Sequence, residues 1–256
     1  MTTLAPPPRK LLWKEARVAS DAVHMALRWL QPGARRIETE PVLLLPGFGA
    51  SEAFMRPLKR QLARHGIHAE DWGLGRNLAG LDIRHRLDDV SEGWQLEPLP
   101  RYRGEAGVPL LCDRLIARAQ QRAAALDSKL TLIGWSLGGT IAREAARECP
   151  ELISQVITLG SPVLGGPKYT AAADRLAGRG LDLDWIERQV ERRSQTPIQV
   201  PVTAIVSRSD AIVGYQAALD EANPRVRHVE LDVSHLGMAI NPKVWDVILA
   251  TLSKRA

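Results

Sequence analysis

The stretch "LTLIGWSLGGTIARE", residues 130–144, decides how the rest of the sequence is interpreted. An apolar run leads directly into a serine flanked by glycines, and a segment with helical periodicity follows. This pattern is typical of a nucleophile elbow, a strained strand-to-helix turn that projects the serine hydroxyl above the edge of a sheet. The helix N-terminus would also favour a developing oxyanion. The alternative is a glycine-rich turn without chemistry, but the context favours Ser136 as a nucleophile.

A serine nucleophile needs a base, and the base needs an acid that orients it. His235 follows the last predicted strand and precedes the final predicted helix, so we expect it at the same sheet edge as Ser136. Asp210 follows the apolar strand of "VPVTAIVS" and is the favoured acid. Its nearest rival, Asp232, lies three residues before His235 and is expected to belong to the strand itself. More remote alternatives are Asp220 and Asp184.

The segment "PVLLLPGFGAS", residues 41–51, predicts a buried strand that ends in a tight turn. An oxyanion hole needs one N–H from the residue after the nucleophile and one from the loop after an early strand. These donors would be the N–H groups of Leu137 and Phe48. The role of the following "GLGRN" turn, residues 73–77 with Arg76, stays open.

Strands alternate with helices from residue 41 to the C-terminus, which predicts crossover connections and a parallel sheet. A helix is predicted near residues 214–221, and the final helix from about residue 242. Two stretches, residues 81–105 and 161–200, are too long for simple connections. The second has helical spacing of its apolar residues and is predicted to form a small cap over the site.

The sequence resembles serine α/β-hydrolases, and more narrowly bacterial lipases and esterases. The matching segments are "PVLLLPGFGAS", "DWGLGRN", "LIGWSLGGTIARE", "QVITLGSPVLGG", "SRSDAIV" and "SHLGMAINP". The resemblance implies the α/β-hydrolase fold, a mostly parallel sheet flanked by helices, here with a small helical cap insertion and an extra N-terminal helix. It also implies a triad carried onto Ser136, Asp210 and His235, with Phe48 and Leu137 donating to the oxyanion. Many lipases of the family have His-Gly where this chain has Pro46-Gly47.

The expected activity is hydrolysis of a small-molecule or lipid carboxylic ester through an acyl-serine, with no metal and no organic cofactor. An acyltransferase or a thioesterase with the same triad is one alternative, because both form the same acyl-serine. A ligand-binding homologue that has lost the chemistry is another. Two cysteines, Cys112 and Cys149, lack metal-ligand spacing and are expected to be buried packing residues.

The N-terminal region carries the whole formal charge excess of +5. Residues 1–36 are predicted to form a basic amphipathic helix ahead of a hydrolase domain over residues 37–256, whose near-neutral charge argues against nucleic-acid binding. Helical spacing places six apolar residues on one stripe, which either packs on the core or makes peripheral contact with an anionic membrane. The N-terminus lacks the apolar core of a secretory signal, so we expect a cytoplasmic protein. The stripe consists of Leu12, Ala16, Ala19, Val23, Ala26 and Leu30.

Overall fold

The computed structural model describes residues 4–31 and 35–253. Its centre is a six-stranded sheet in which every neighbouring pair of strands is parallel, in the order β2-β1-β3-β4-β5-β6. The parallel arrangement places the carboxyl ends of all six strands at one edge. The strands are β1 Val42–Leu45, β2 Ala69–Asp71, β3 Leu130–Trp135, β4 Ile153–Leu159, β5 Val202–Val206 and β6 Val226–Glu230.

Helices cover both faces of the sheet, which explains why the central strands are buried at every position. Successive residues of β1 alternate between two cores: Leu43 and Leu45 pack towards α3 and α4, whereas Val42 and Leu44 pack towards α2 and α7. Within the described residues there are seven α-helices: α1 Val18–Leu30, α2 Arg56–Arg64, α3 Gly107–Leu126, α4 Leu137–Glu148, α5 Ala173–Gly178, α6 Leu183–Ser194 and α7 Pro242–Leu252. None of them is long and apolar enough to cross a bilayer.

The helix predicted near residues 214–221 is wrong, because that segment holds only a short 3-10 turn, Gln216–Ala218. The carbonyl oxygen of Ala217 accepts hydrogen bonds from the N–H groups of Val163 (2.8 Å) and Leu164 (3.0 Å). This oxygen is therefore engaged by the chain that leaves β4 rather than by a following helical turn. A tertiary contact overrides the local helical pattern here.

The two long stretches, residues 81–105 and 161–200, are excursions from the sheet that pack against each other. Residues 161–200 contain α5 and α6, and residues 81–105 contain two short 3-10 turns, Leu87–Asp89 and Glu92–Trp94. Trp185 of α6 is buried, and its indole N–H donates to the carbonyl oxygen of Glu97 at 3.2 Å. Arg192, two helical turns further on the C-terminal side, donates to the carbonyl oxygen of Gln95 at 2.8 Å. The excursions thus form one layer over the carboxyl edge of the sheet.

The N-terminal segment packs on the core through a different face from the predicted apolar stripe. It begins as a 3-10 helix, Arg9–Arg17, and continues as α1. Asp21 is buried, and Trp29 stacks on Trp245 of α7 with ring centroids 6.1 Å apart. All six residues of the stripe are exposed, so the core-packing interpretation of the stripe is wrong. Residues 1–3 and 32–34 of the predicted N-terminal helix lie outside the described residues.

The packing face of α1 predicts unequal costs for two substitutions. Trp29→Ala should lower the free energy of unfolding by about 1–3 kcal/mol, because a half-buried ring is lost from its contact with Trp245. Val23→Ser should change it by less than about 0.5 kcal/mol, because Val23 is 60% exposed. Guanidinium denaturation of both variants measures the difference. A larger loss for Val23→Ser than for Trp29→Ala would contradict this placement of the helix.

Candidate active site

Ser136 lies at the turn between β3 and α4 with a strained backbone. Its φ of 54° and ψ of −127° are sparsely populated by residues other than glycine. The turn closes because Gly138 has no side chain: a Cβ there would clash with the carbonyl oxygen of Leu45. The local sequence therefore produces the elbow that the glycine pattern predicts, with Ser136 next to the N-terminus of a 12-residue helix.

His235 and Asp210 form a buried pair at the carboxyl edge of the sheet. Asp210 follows β5 and His235 follows β6, and His235 Nδ1 lies 2.7 Å from Asp210 Oδ2. The other carboxylate oxygen, Oδ1, accepts the N–H groups of Ile212 (2.8 Å) and Val213 (2.7 Å). These backbone donors fix the orientation of the carboxylate. With Nδ1 directed at Asp210, His235 keeps Nε2 for a second partner.

Gly160, at the end of β4, provides the space that this pair occupies. A Cβ at this position would lie 2.8 Å from Asp210 Oδ2 and 3.0 Å from His235 Nδ1. The residue also has a φ of 56°, in the region that favours glycine. Because Gly160 has no side chain, the end of β4 leaves room for the Asp210–His235 pair.

The rival acids have other partners. Asp232 lies beyond β6, which ends at Glu230, so its predicted place within the strand is wrong. It accepts hydrogen bonds from Ser209 Oγ and from Arg17. Of the four candidate acids, all in the described part of the chain, Asp210 alone contacts His235. Asp220 pairs with Arg143, and Asp184 with Lys168.

Phe48 and Leu137, the two predicted oxyanion-hole donors, line one cavity together with Ser136 and His235. Leu137 is the first residue of α4, so its N–H has no acceptor within the helix. Phe48 lies in the turn after β1. Across the described residues, neither N–H donates to another protein group. Both N–H groups are therefore without a protein acceptor in this part of the chain.

Asn77, which the sequence motifs did not identify as a site residue, holds the turn that contains Phe48. Its side chain is fully buried, and Nδ2 donates to the carbonyl oxygen of Pro46 at 2.8 Å. Its backbone carbonyl accepts the N–H of Gly49, and its backbone N–H donates to Ala50. Arg76 adds a bond from Nε to the carbonyl oxygen of Gly49 at 2.8 Å. The "GLGRN" turn thus fixes the 46–50 loop, and the sequence signal for it was an asparagine at the end of a segment with two glycines.

The cavity beside Ser136 has a volume of about 330 Å³ and is lined mainly by apolar side chains. Both excursions contribute to its walls. From residues 81–105 come Leu81, Trp94 and Leu96, and from residues 161–200 come Leu176, Ile186 and Val190. An apolar group bound there would lie against the nucleophile and be shielded from water.

Ser136 and His235 both line this cavity. Within residues 4–31 and 35–253, Ser136 Oγ makes no hydrogen bond to His235. A nucleophile and its base commonly reach bonding distance only when substrate binds. The cysteines offer no competing nucleophile, because both are buried and burial raises the pKa of Cys149 to about 12.

Comparisons with known proteins agree with this architecture. A family model described as the alpha/beta hydrolase fold matches residues 112–200. A mature lipase of Bacillus licheniformis matches with a TM-score of 0.59 and 13% identity, over 87% of this chain and 96% of that chain. The chain has the α/β-hydrolase fold. A comparison with curated proteins gave no match.

Other α/β-hydrolases of known structure are similar to the same degree. A monoacylglycerol lipase of Paleococcus ferrophilus has a TM-score of 0.55 and 16% identity, covering 88% of this chain and 100% of that chain. The thioesterase domain from the curacin biosynthetic pathway has a TM-score of 0.51 and 15% identity, covering 84% and 91%. The predicted fold class is confirmed. At these identities the likeness establishes the α/β-hydrolase fold and leaves the reaction to the site itself.

Proposed function

We propose that the protein hydrolyses carboxylic esters through an acyl-serine formed on Ser136. The observation that carries the proposal is the buried Asp210–His235 pair, which lies beside the same cavity as the strained serine. The lipases among the structural neighbours support the same class of reaction. Nothing in the site specifically favours an acyltransferase or a non-catalytic role.

The geometry supports a two-step reaction. His235 Nε2 takes the proton of Ser136 Oγ as this oxygen attacks the carbonyl carbon, and the N–H groups of Phe48 and Leu137 stabilise the oxyanion. Asp210 stabilises the imidazolium, which then protonates the departing alcohol. Water, deprotonated by His235, attacks the acyl-serine. The carboxylic acid leaves and the hydroxyl of Ser136 is restored.

The triad assignment predicts large and unequal losses of turnover. Ser136→Ala should lower kcat for a p-nitrophenyl ester by about 10⁶, and Asp210→Asn by about 10⁴, because the asparagine holds the imidazole in the wrong tautomer. The matched controls are Asp232→Asn, which alters the rival acid, and Ser194→Ala on the exposed end of α6. Both controls should stay within about tenfold of the wild type.

Two outcomes would contradict the assignment. Near-normal hydrolysis by a well-folded Ser136→Ala protein would rule out a reaction through an acyl-serine on Ser136. If Asp232→Asn lowered kcat more than Asp210→Asn, the acid of the triad would be Asp232 and not Asp210. A preference for thioesters over matched oxygen esters would instead favour the thioesterase alternative.

We propose that the cap, residues 161–200, selects apolar acyl groups. Ile186 lines the cavity from α6, whereas Glu191 of the same helix is exposed. Filling the cavity with Ile186→Trp should lower kcat/KM for octanoyl and longer esters relative to acetyl esters by about tenfold or more. Glu191→Trp is the control for a tryptophan on α6. A panel of p-nitrophenyl esters from acetyl to palmitoyl measures the profile, and an unchanged profile for Ile186→Trp would assign the cap to packing alone.

We also propose that the N-terminal segment makes peripheral contact with an anionic membrane surface. All of the large apolar side chains described as exposed lie between residues 12 and 30, and exposed cations flank them on both sides. Such an apolar face with basic neighbours suits a helix that lies in the interface of a bilayer. The apolar side chains are Leu12, Trp13, Val23, Leu27 and Leu30, and the flanking cations are Arg9, Lys10, Arg35 and Arg36.

Vesicle binding tests this contact. Vesicles with anionic lipid should retain the protein at low salt and release it at high salt, because each basic residue contributes only about 1 kcal/mol and is screened over about 8 Å. The double variant Val23→Asp, Leu27→Asp should lose retention. Gln195→Asp, Gln199→Asp changes the net charge equally on exposed positions elsewhere and should keep it. Retention by the first variant, or none by the wild type, would contradict the proposal.

A further inference from the structure

A carboxylate from the N-terminal segment joins the two loops that carry Asp210 and His235. Glu15 lies in the 3-10 helix Arg9–Arg17. Its Oε1 accepts the N–H of Ala211 at 3.2 Å and the N–H of His235 at 3.0 Å, and its Oε2 accepts the N–H of Leu236 at 2.9 Å. The Glu15 side chain thus binds the backbone of Ala211, which follows Asp210, and the backbone of His235 and Leu236.

These bonds act where the relative position of two separate loops matters. Asp210 and His235 follow different strands, so no local backbone geometry fixes the 2.7 Å contact between their side chains. The backbone of His235 is held on both sides: its N–H by Glu15, and its carbonyl oxygen by the indole N–H of Trp135 at 3.0 Å. Glu15 adds a link to the Asp210 loop at His235 itself, beside the direct bonds from Ser207 Oγ to the carbonyl oxygen of Val233 (2.7 Å) and from Ser209 Oγ to Asp232.

Neighbours of Glu15 reinforce the same connection. Lys14 Nζ donates to Ser209 Oγ at 2.9 Å in the Asp210 loop, and Arg17 donates to Asp232 in the His235 loop. Further along, Asp21 Oδ1 accepts from Asn241 Nδ2 at 2.8 Å, behind the histidine loop. The segment therefore lies along both loops, with Glu15 at the point where they meet.

We infer that Glu15 is a positioning residue that sets the distance between His235 and Asp210. Glu15 does not line the cavity in the described structure, so it acts through the histidine and not on substrate. The inference rests on the proposed ester hydrolysis for its readout. Since catalytic groups displaced by about 1 Å can lose about a hundredfold in rate, the loss of this link should appear in the chemical step.

Three substitutions of Glu15 distinguish the effect of its side-chain length (its reach) from the effect of its charge. Glu15→Gln keeps the length of the side chain and one acceptor oxygen, which can still accept the N–H groups of Ala211 and His235. Its amide nitrogen cannot accept the N–H of Leu236, so only that bond is lost and kcat should fall by less than about fivefold. Glu15→Asp keeps the charge but is one methylene shorter, and Glu15→Ala removes the link. Both should lower kcat by about 10- to 100-fold, and the rate of fluorophosphonate labelling of Ser136 in parallel, with KM changed less than about threefold. Glu38→Ala, at an exposed glutamate of the same region, is the control.

Rates are expressed per folded molecule, from circular dichroism and active-site titration well below the unfolding midpoint. Wild-type kcat and labelling in Glu15→Ala would overturn the inference, as would activity losses that follow only the folded fraction. A Glu15→Asp protein more active than Glu15→Gln would overturn it too, because charge rather than reach would then matter. Failure of the proposed function is separate: it would appear as hydrolysis retained by Ser136→Ala, whatever the Glu15 variants do.

Discussion

The hydrogen bond between His235 Nδ1 and Asp210 Oδ2 is the contact on which the rest of the site depends. Both groups are buried, and a buried ionisable pair is tolerated only when its remaining polar atoms are satisfied. Two backbone N–H groups satisfy the second carboxylate oxygen, and bare Gly160 leaves room for both side chains. The parallel sheet makes this possible because it brings the carboxyl ends of β5 and β6 to the same edge.

Polar side chains from distant segments hold the loops around this pair. Asn77 fixes the turn with Phe48, and Glu15 joins the loops of Asp210 and His235. The N-terminal segment consequently has two different faces. Its inner face combines polar side chains bonded to these loops with Trp29 packed on Trp245, whereas its outer face leaves apolar side chains such as Val23 in solvent. This division explains how a helix can belong to the folded core and still offer an apolar surface.

The sequence predicts the sheet and the elbow well because both depend on local patterns. Continuous apolar runs mark strands covered on both faces, and close approach at Gly138 requires glycine. The helix near residues 214–221 fails because a tertiary bond to Ala217 replaces the helical one. The predicted stripe fails as a packing surface because Glu15 and Asp21, charged residues that periodicity assigns to solvent, make the inner contacts. Contacts between polar residues that are distant in the sequence leave no periodic pattern from which they could be predicted.

Covalent capture of the nucleophile tests the central claim most directly. A fluorophosphonate reacts with a serine that a neighbouring base activates, and the adduct can be mapped by mass spectrometry of peptides. The account predicts one adduct per chain, located on Ser136 and lost in His235→Ala, although that variant keeps the serine. Stoichiometric modification at any other residue, or ester hydrolysis that continues after excess reagent has fully modified Ser136, would contradict it.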